Sequence, residues 1–200
     1  MEREEERMRL PKEFFEFLMK KVENVSFAYI IEMTTGCKVF PLDDENVVTE
    51  IFEASESVLD DAQKVNYTDK RPNEISNDLD RRLREKLKGN IPEGKMAGYP
   101  DILIERGNKN FYIEVKLAEV KQLGSSLRAF YYEPVKLAKV RRDAVHVMVG
   151  FVHRRKRVVG FKIVDLSKIN VPLKNEFNAN NIEIYKREAL VQEYPQTKLF

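Results

Sequence analysis

Pro100-Asp101-Ile102-Leu103-Ile104-Glu105-Arg106-Gly107-Asn108-Lys109-Asn110-Phe111-Tyr112-Ile113-Glu114-Val115-Lys116-Leu117 is the stretch on which the reading of this 200-residue chain turns. Gly107-Asn108 lies between two runs of alternating apolar residues, and Gly in first place is what a two-residue type II′ hairpin loop prefers. Arg106 then pairs with Lys109, Leu103 falls opposite Tyr112, Asp101 opposite Glu114, and Tyr99 opposite Lys116. Side chains of a strand alternate between faces, so Asp101, Glu114 and Lys116 share one face while Ile102, Ile104, Phe111, Ile113 and Val115 share the other. One face is core, and the other carries chemistry.

Directly opposed side chains of an antiparallel pair have Cβ atoms roughly 4.5–5.5 Å apart, where like charges repel. A purely structural sheet gains nothing from facing Asp101 with Glu114. A hard divalent cation turns the repulsion into attraction, because Mg²⁺ is held by one or two carboxylates together with waters and phosphate oxygens. Lys116, on the same face, can hold a phosphate oxygen or a water and offsets the carboxylate charge. Two other Glu-x-Lys triplets, Glu93-Gly94-Lys95 and Glu119-Val120-Lys121, do not align with an acid in this register.

The Pro-Asp pair followed by Glu-x-Lys resembles the PD-(D/E)xK nuclease superfamily, over roughly Asn73 to Asp165. The resemblance implies an α/β restriction endonuclease-like core, a mixed central β-sheet flanked by helices in the order αβββαβ. It also implies that Asp101 and Glu114, with the Val115 carbonyl and an acid from an earlier helix, hold one or two Mg²⁺ ions, for which Mn²⁺ can substitute, while Lys116 assists the attacking water. Glu74, in the first turn of the helix that precedes the hairpin, is the preferred helix acid, with Asp78 as its alternative. The implied activity is Mg²⁺-dependent hydrolysis of DNA by a type II restriction-type endonuclease, a form favoured because no helicase or ATPase domain accompanies the motif. Palindromic DNA would then call for a homodimer. A Holliday-junction resolvase or repair nuclease is the nearest alternative, and a nucleic-acid-binding or assembly module that cuts nothing is the alternative from another class.

Charge is divided along the chain. Residues 1–66 hold 8 Lys/Arg against 16 Asp/Glu, whereas residues 67–200 hold 27 against 17. The segment with the motif is the basic one, as phosphate binding requires. We therefore expect an acidic helical region over 1–66 and the nuclease-like domain over 67–200. A lone Cys37 excludes an internal disulfide framework and a Cys-rich zinc site. The charged N-terminus is unlike a secretory signal, and the longest apolar run, Ala144 to Val152, is too short to span a bilayer. A cytoplasmic protein without membrane contact is expected. No phosphate-binding Gly-rich loop ending in Gly-Lys-Ser/Thr occurs, so no nucleotide cofactor is expected. Of the two histidines, His146 sits in an apolar run and reads as core, and His153 belongs to a basic turn.

Outward from the hairpin, helical spacing covers residues 11–35, stopped by Gly36, and residues 45–65; these two helices either cover the sheet or supply a dimer surface. Asn73 caps a helix carrying Ile75, Leu79, Leu83 and Leu87, ended by Gly89-Asn90. Gly124-Ser125-Ser126 opens a helix through Val140, interrupted by Pro134. Strands follow at 144–152 and 157–165, joined by His153-Arg154-Arg155-Lys156-Arg157, the densest basic cluster. Arg154, Arg155, Lys156 and Arg157, with Arg81 on the helix, are the candidate DNA contacts. Residues 166–200 read as an edge strand and tail.

Overall fold

In the computed structural model, which describes residues 11–13, 16, 22–94, 98–125 and 139–173, the central hairpin has the register that its turn dictates. Strands β3 (Ile102–Arg106) and β4 (Lys109–Glu119) pair Arg106 with Lys109 and Leu103 with Tyr112. Gly107 has φ +58° and Asn108 is not in the left-handed region, the signature of a type II′ loop. At the open end the ladder changes character. Regular pairing would set residue 100 opposite Val115, but a proline has no N–H. The Val115 N–H instead meets Asp101 Oδ2 at 2.8 Å, and the Asp101 N–H meets the Ile113 carbonyl at 3.1 Å.

β5 (Ala144–Arg154) lies parallel to β4, with Glu114 beside Met148 and Lys116 beside Gly150. Parallel neighbours need a long crossover, and residues 120–143 supply it. The other side of β5 is shared by β2 (Val39–Phe40), parallel to its first two residues, and β6 (Arg157–Asp165), antiparallel to the rest. The result is a mixed five-stranded sheet flanked by helices, an α/β architecture.

Ile102, Ile104, Phe111, Ile113, Val115, Val145, Val147, Val149 and Phe151 line one face. It is covered by α1 (Glu45–Gln63), through Val47, Ile51, Val58 and Ala62, and by α2 (Pro72–Lys86), through Ile75, Leu79 and Leu83. Asp44 caps α1 by accepting the Val47 N–H at 3.3 Å. Residues 45–63 thus cover the sheet, and residue 66 is not a packing boundary, since one compact unit runs from residue 24 to 171. α2 begins two residues earlier than its Asn73 cap suggested. Pro72, with φ preset for a first turn, opens it, and Glu74 reaches back to the Arg71 N–H at 2.8 Å.

The helix expected over 11–35 is interrupted. Val22–Ser26 is a strand, β1, paired with β7 (Asn170–Leu173) in a separate two-stranded sheet. The helix that follows, α3 (Phe27–Thr35), is shorter, begins after Ser26, and stops at Gly36 with φ +75°. Apolar spacing across 22–26 suits a helix or a strand, and a partner some 145 residues away decided it. Asn24 at φ +58° breaks helical continuity there.

The second face of the sheet is not wholly free for chemistry, as the alternation alone implied. Phe27, Ile31, Tyr99, Tyr112, Val140, Ala144 and Leu166 form a second apolar cluster on it. His146 is fully buried there, its Nδ1 2.6 Å from the Tyr99 hydroxyl, and burial pushes its pKa down to about 3. His153 departs from the turn assignment. It is the penultimate residue of β5, buried, its Nδ1 accepting the Lys156 N–H at 3.2 Å. The helix expected after Ser125 lies, but for Lys139 and Val140, outside the described residues, as does the tail from 174; the two described residues are not helical. No helix among the described residues is long and apolar enough to cross a membrane.

Candidate active site

Glu114 occupies the middle of β4 and is 3% exposed. Lys116, two residues on and therefore on the same face, puts its Nζ 2.6 Å from Glu114 Oε1. The second oxygen, Oε2, is buried with no hydrogen-bond partner among the described residues. Burial, and then the charge of Asp101, push the Glu114 pKa up to about 7 against the pull of Lys116. An orphaned buried carboxylate oxygen is costly. A hard cation is one kind of group that such an oxygen would accept.

Asp101 is held by the Val115 N–H, which fixes its carboxylate at the open end of the hairpin beside Glu114. In a strand a residue's N–H and C=O point to the same side, so the Val115 carbonyl faces this end too. Its regular donor would be Pro100. Asp101, Glu114, Lys116 and Val115 are thus brought together as the hairpin register required.

Two further groups join them. Lys139 is 2% exposed, donates from Nζ to the Pro100 carbonyl at 2.9 Å, and has a pKa lowered by burial, although Asp101, Glu114 and Asp80 pull it back up. Asp80, on α2, bonds Arg84 at 3.2 Å while its Oδ1 has no hydrogen-bond partner among the described residues; burial and then Asp101 raise its pKa. Asp80 follows Leu79 in the apolar ladder, and that adjacency is the sequence signal that would have found it. Lys139 carried none.

The other helix acids are engaged elsewhere. Glu74 closes the start of its own helix on the Arg71 N–H and pairs with Lys70 at 3.7 Å, its side chain half exposed. Asp78 takes the Tyr67 hydroxyl at 2.6 Å, with Arg81 and Arg82. Burial pushes the Asp78 carboxyl up, but these hydrogen bonds together outweigh it and the net shift is downward. Neither choice for the helix acid therefore falls where Asp80 does. Arg81, a candidate DNA contact, is bound by Asp78 and Glu85. Arg154, Arg155, Lys156 and Arg157 lie at the far end of the β5–β6 hairpin.

The donor set fits a hard cation: carboxylate oxygens, two of them orphaned, and a backbone carbonyl. Among the described residues no three His, Cys, Asp or Glu side chains are gathered closely enough to cage an ion by themselves. That is compatible with Mg²⁺, which keeps several waters and takes oxygens from a bound phosphate.

A mixed α/β sheet thus gathers three acids, Asp80, Asp101 and Glu114, and two lysines, Lys116 and Lys139, at the open end of one hairpin. A model of the type II restriction enzyme MjaV family matches residues 19–188, and the chain belongs to that family. It is 31% identical over 210 aligned positions to the type II restriction enzyme MjaV of Methanocaldococcus jannaschii, an alignment covering 88% of this chain and 91% of that protein. No solved structure matches it.

Proposed function

We propose that this chain is a Mg²⁺-dependent type II restriction endonuclease of the PD-(D/E)xK class, acting on duplex DNA as a homodimer. The observation that carries the reading is the unsatisfied Glu114 Oε2, buried beside Asp101 and one same-face step from Lys116. Family membership supports it: the relative's name is that of a restriction enzyme.

Asp101, Glu114 and the Val115 carbonyl would hold the ion, with Asp80 close enough to feel the Asp101 charge. Mg²⁺ held there would supply Lewis acidity toward the phosphate and the attacking water. The Val115 N–H holds Asp101 through Oδ2, so Oδ1 is the oxygen that would be offered to the ion. Lys116, about a third exposed, can exchange its bond to Glu114 for a bond to the attacking water or to a non-bridging phosphate oxygen. Lys139, anchored on the Pro100 carbonyl, offsets the negative charge that accumulates among three acids and a phosphate. Attack of the water at phosphorus then breaks one P–O bond of the backbone.

Incubation with plasmid, linear duplex and four-way junction DNA, in Mg²⁺ or EDTA, tests this directly. Discrete bands from duplex, lost in EDTA and in Lys116→Ala, are the expected result. Preferential cutting of the junction would replace the restriction reading with a resolvase. Identical behaviour of wild type and Lys116→Ala on every substrate would leave only a binding module. Doubling of the solution mass would support the homodimer.

A further inference from the structure

Two groups of cations among the described residues differ in their partners. Those of α2 are neutralised: Arg81 by Asp78 and Glu85, Arg82 by Asp78, Arg84 by Asp80, and Lys86 by Asp61. Arg154, Arg155, Arg157 and Lys162 are exposed and make no ion pair among the described residues. Lys156, between them, is tethered by its Nζ to the Thr68 carbonyl at 2.7 Å.

The registers place Lys162, Arg154 and Arg157 on the face that carries Lys116, and Arg155 follows them in the turn. Partners in neighbouring strands point the same way. Lys116, Gly150 and Lys162 therefore form one row across β4, β5 and β6; Ala118, Val152 and Gly160 form the next; and the Arg154–Arg157 pair closes the hairpin. The rows run from the acids toward the hairpin tip over Gly150, Ala118, Val152 and Gly160, and, its chain neighbours aside, no described atom lies within 4 Å of a Cβ built on Gly160. From Gly150 to Arg155 the strand advances roughly 16 Å at about 3.3 Å per residue, some five base-pair steps of duplex at 3.4 Å each.

The tip is strained. Arg155 and Lys156 have φ +49° and +67°, the two left-handed positions of a type I′ loop, for which Asn-Gly is the unstrained choice. Strain of this kind persists where the side chains serve a purpose. Glu119, beside His153 in the ladder, is the nearest acid in the register and is taken by Lys121 at 3.1 Å.

We propose that the strip from Lys162 through Arg154 and Arg157 to Arg155 is a phosphate track, along which the DNA backbone runs as it leaves the catalytic acids, and that it grips every sequence alike. This rests on the endonuclease reading. The test is binding of a fluorescent mixed-sequence duplex in EDTA across a salt series, beside thermal unfolding. Arg155→Asn/Lys156→Gly should melt higher than wild type yet bind about tenfold more weakly, with the slope of log K against log salt shallower by about 1–2. Arg157→Gln/Lys162→Gln, which leaves the turn intact, should lose a similar amount of slope. Unchanged affinity and slope in both variants overturns the track. So does a loss confined to the sequence that wild type cuts, with the slope unchanged, because that is base reading. Wild type that binds no duplex overturns the endonuclease reading as well, an outcome distinct from variants that match a wild type that binds.

Discussion

Two hairpins leave the central strands, and they solve the same local problem in opposite ways. The β3–β4 turn puts Gly107 where a left-handed residue is needed, so the loop is relaxed, and the candidate site lies at the open end where Pro100 stops the ladder. The β5–β6 turn puts Arg155 and Lys156 in left-handed positions that a glycine or asparagine would occupy more easily. Such residues cost on the order of 1 kcal/mol or more each. A turn that only had to reverse the chain would relax as the first one does. The difference teaches that turn chemistry predicts register reliably, and that departures from it mark positions where the side chain matters more than the loop.

The comparison is broken most severely at the open end of the first hairpin. Glu114→Gln should lower the cleavage rate by about 10²–10³-fold while the protein stays folded, because the amide keeps the shape of the carboxylate and an oxygen for Lys116. A rate within a few-fold of wild type in single-turnover assays would detach function from that hairpin. Asp80→Asn should act in the same direction by about tenfold or more, and Asp78→Asn, on the other flank of α2, should leave the rate near wild type. Comparing the two variants sharpens which flank serves the site.

Smaller effects probe the frames that carry the two turns. A Cβ on Gly89 would sit 2.4 Å from Ile102 Cγ2, so Gly89→Ala should push β3 and cost about 1–3 kcal/mol in denaturant unfolding. Gly107→Ala meets open space but keeps φ +58°, and should cost about 1 kcal/mol through backbone strain alone. Arg155→Asn/Lys156→Gly should change stability by a similar amount with the opposite sign, about 1 kcal/mol of gain. If the two turn variants shift unfolding in the same direction, the two loops are not opposites.

Much of the architecture was legible because it obeys short periods. The β3–β4 register followed from Gly107-Asn108, and the two helices that cover the first face followed from Val47, Ile51, Val58 and from Ile75, Leu79, Leu83. The misreadings were of another kind. Val22–Ser26 looked helical because its pairing with Asn170–Leu173 is remote in sequence. Glu74 looked like a site acid because it lies in a first helical turn, where closing the helix on the Arg71 N–H competes for the same carboxylate.

The sequence by itself determined that Asp101, Glu114 and Lys116 share a face, because alternation in a hairpin is a local rule set by one turn. Tertiary structure alone decided that Asp80 rather than Asp78 looks toward them, since both flank the same apolar ladder and only the way α2 lies on the sheet distinguishes its sides. It decided equally that Lys139 joins them, and that part of the same face is apolar core. Burial then raised the Glu114 carboxyl to about 7, because desolvation is a property of everything packed around a group and cannot be read from its neighbours along the chain.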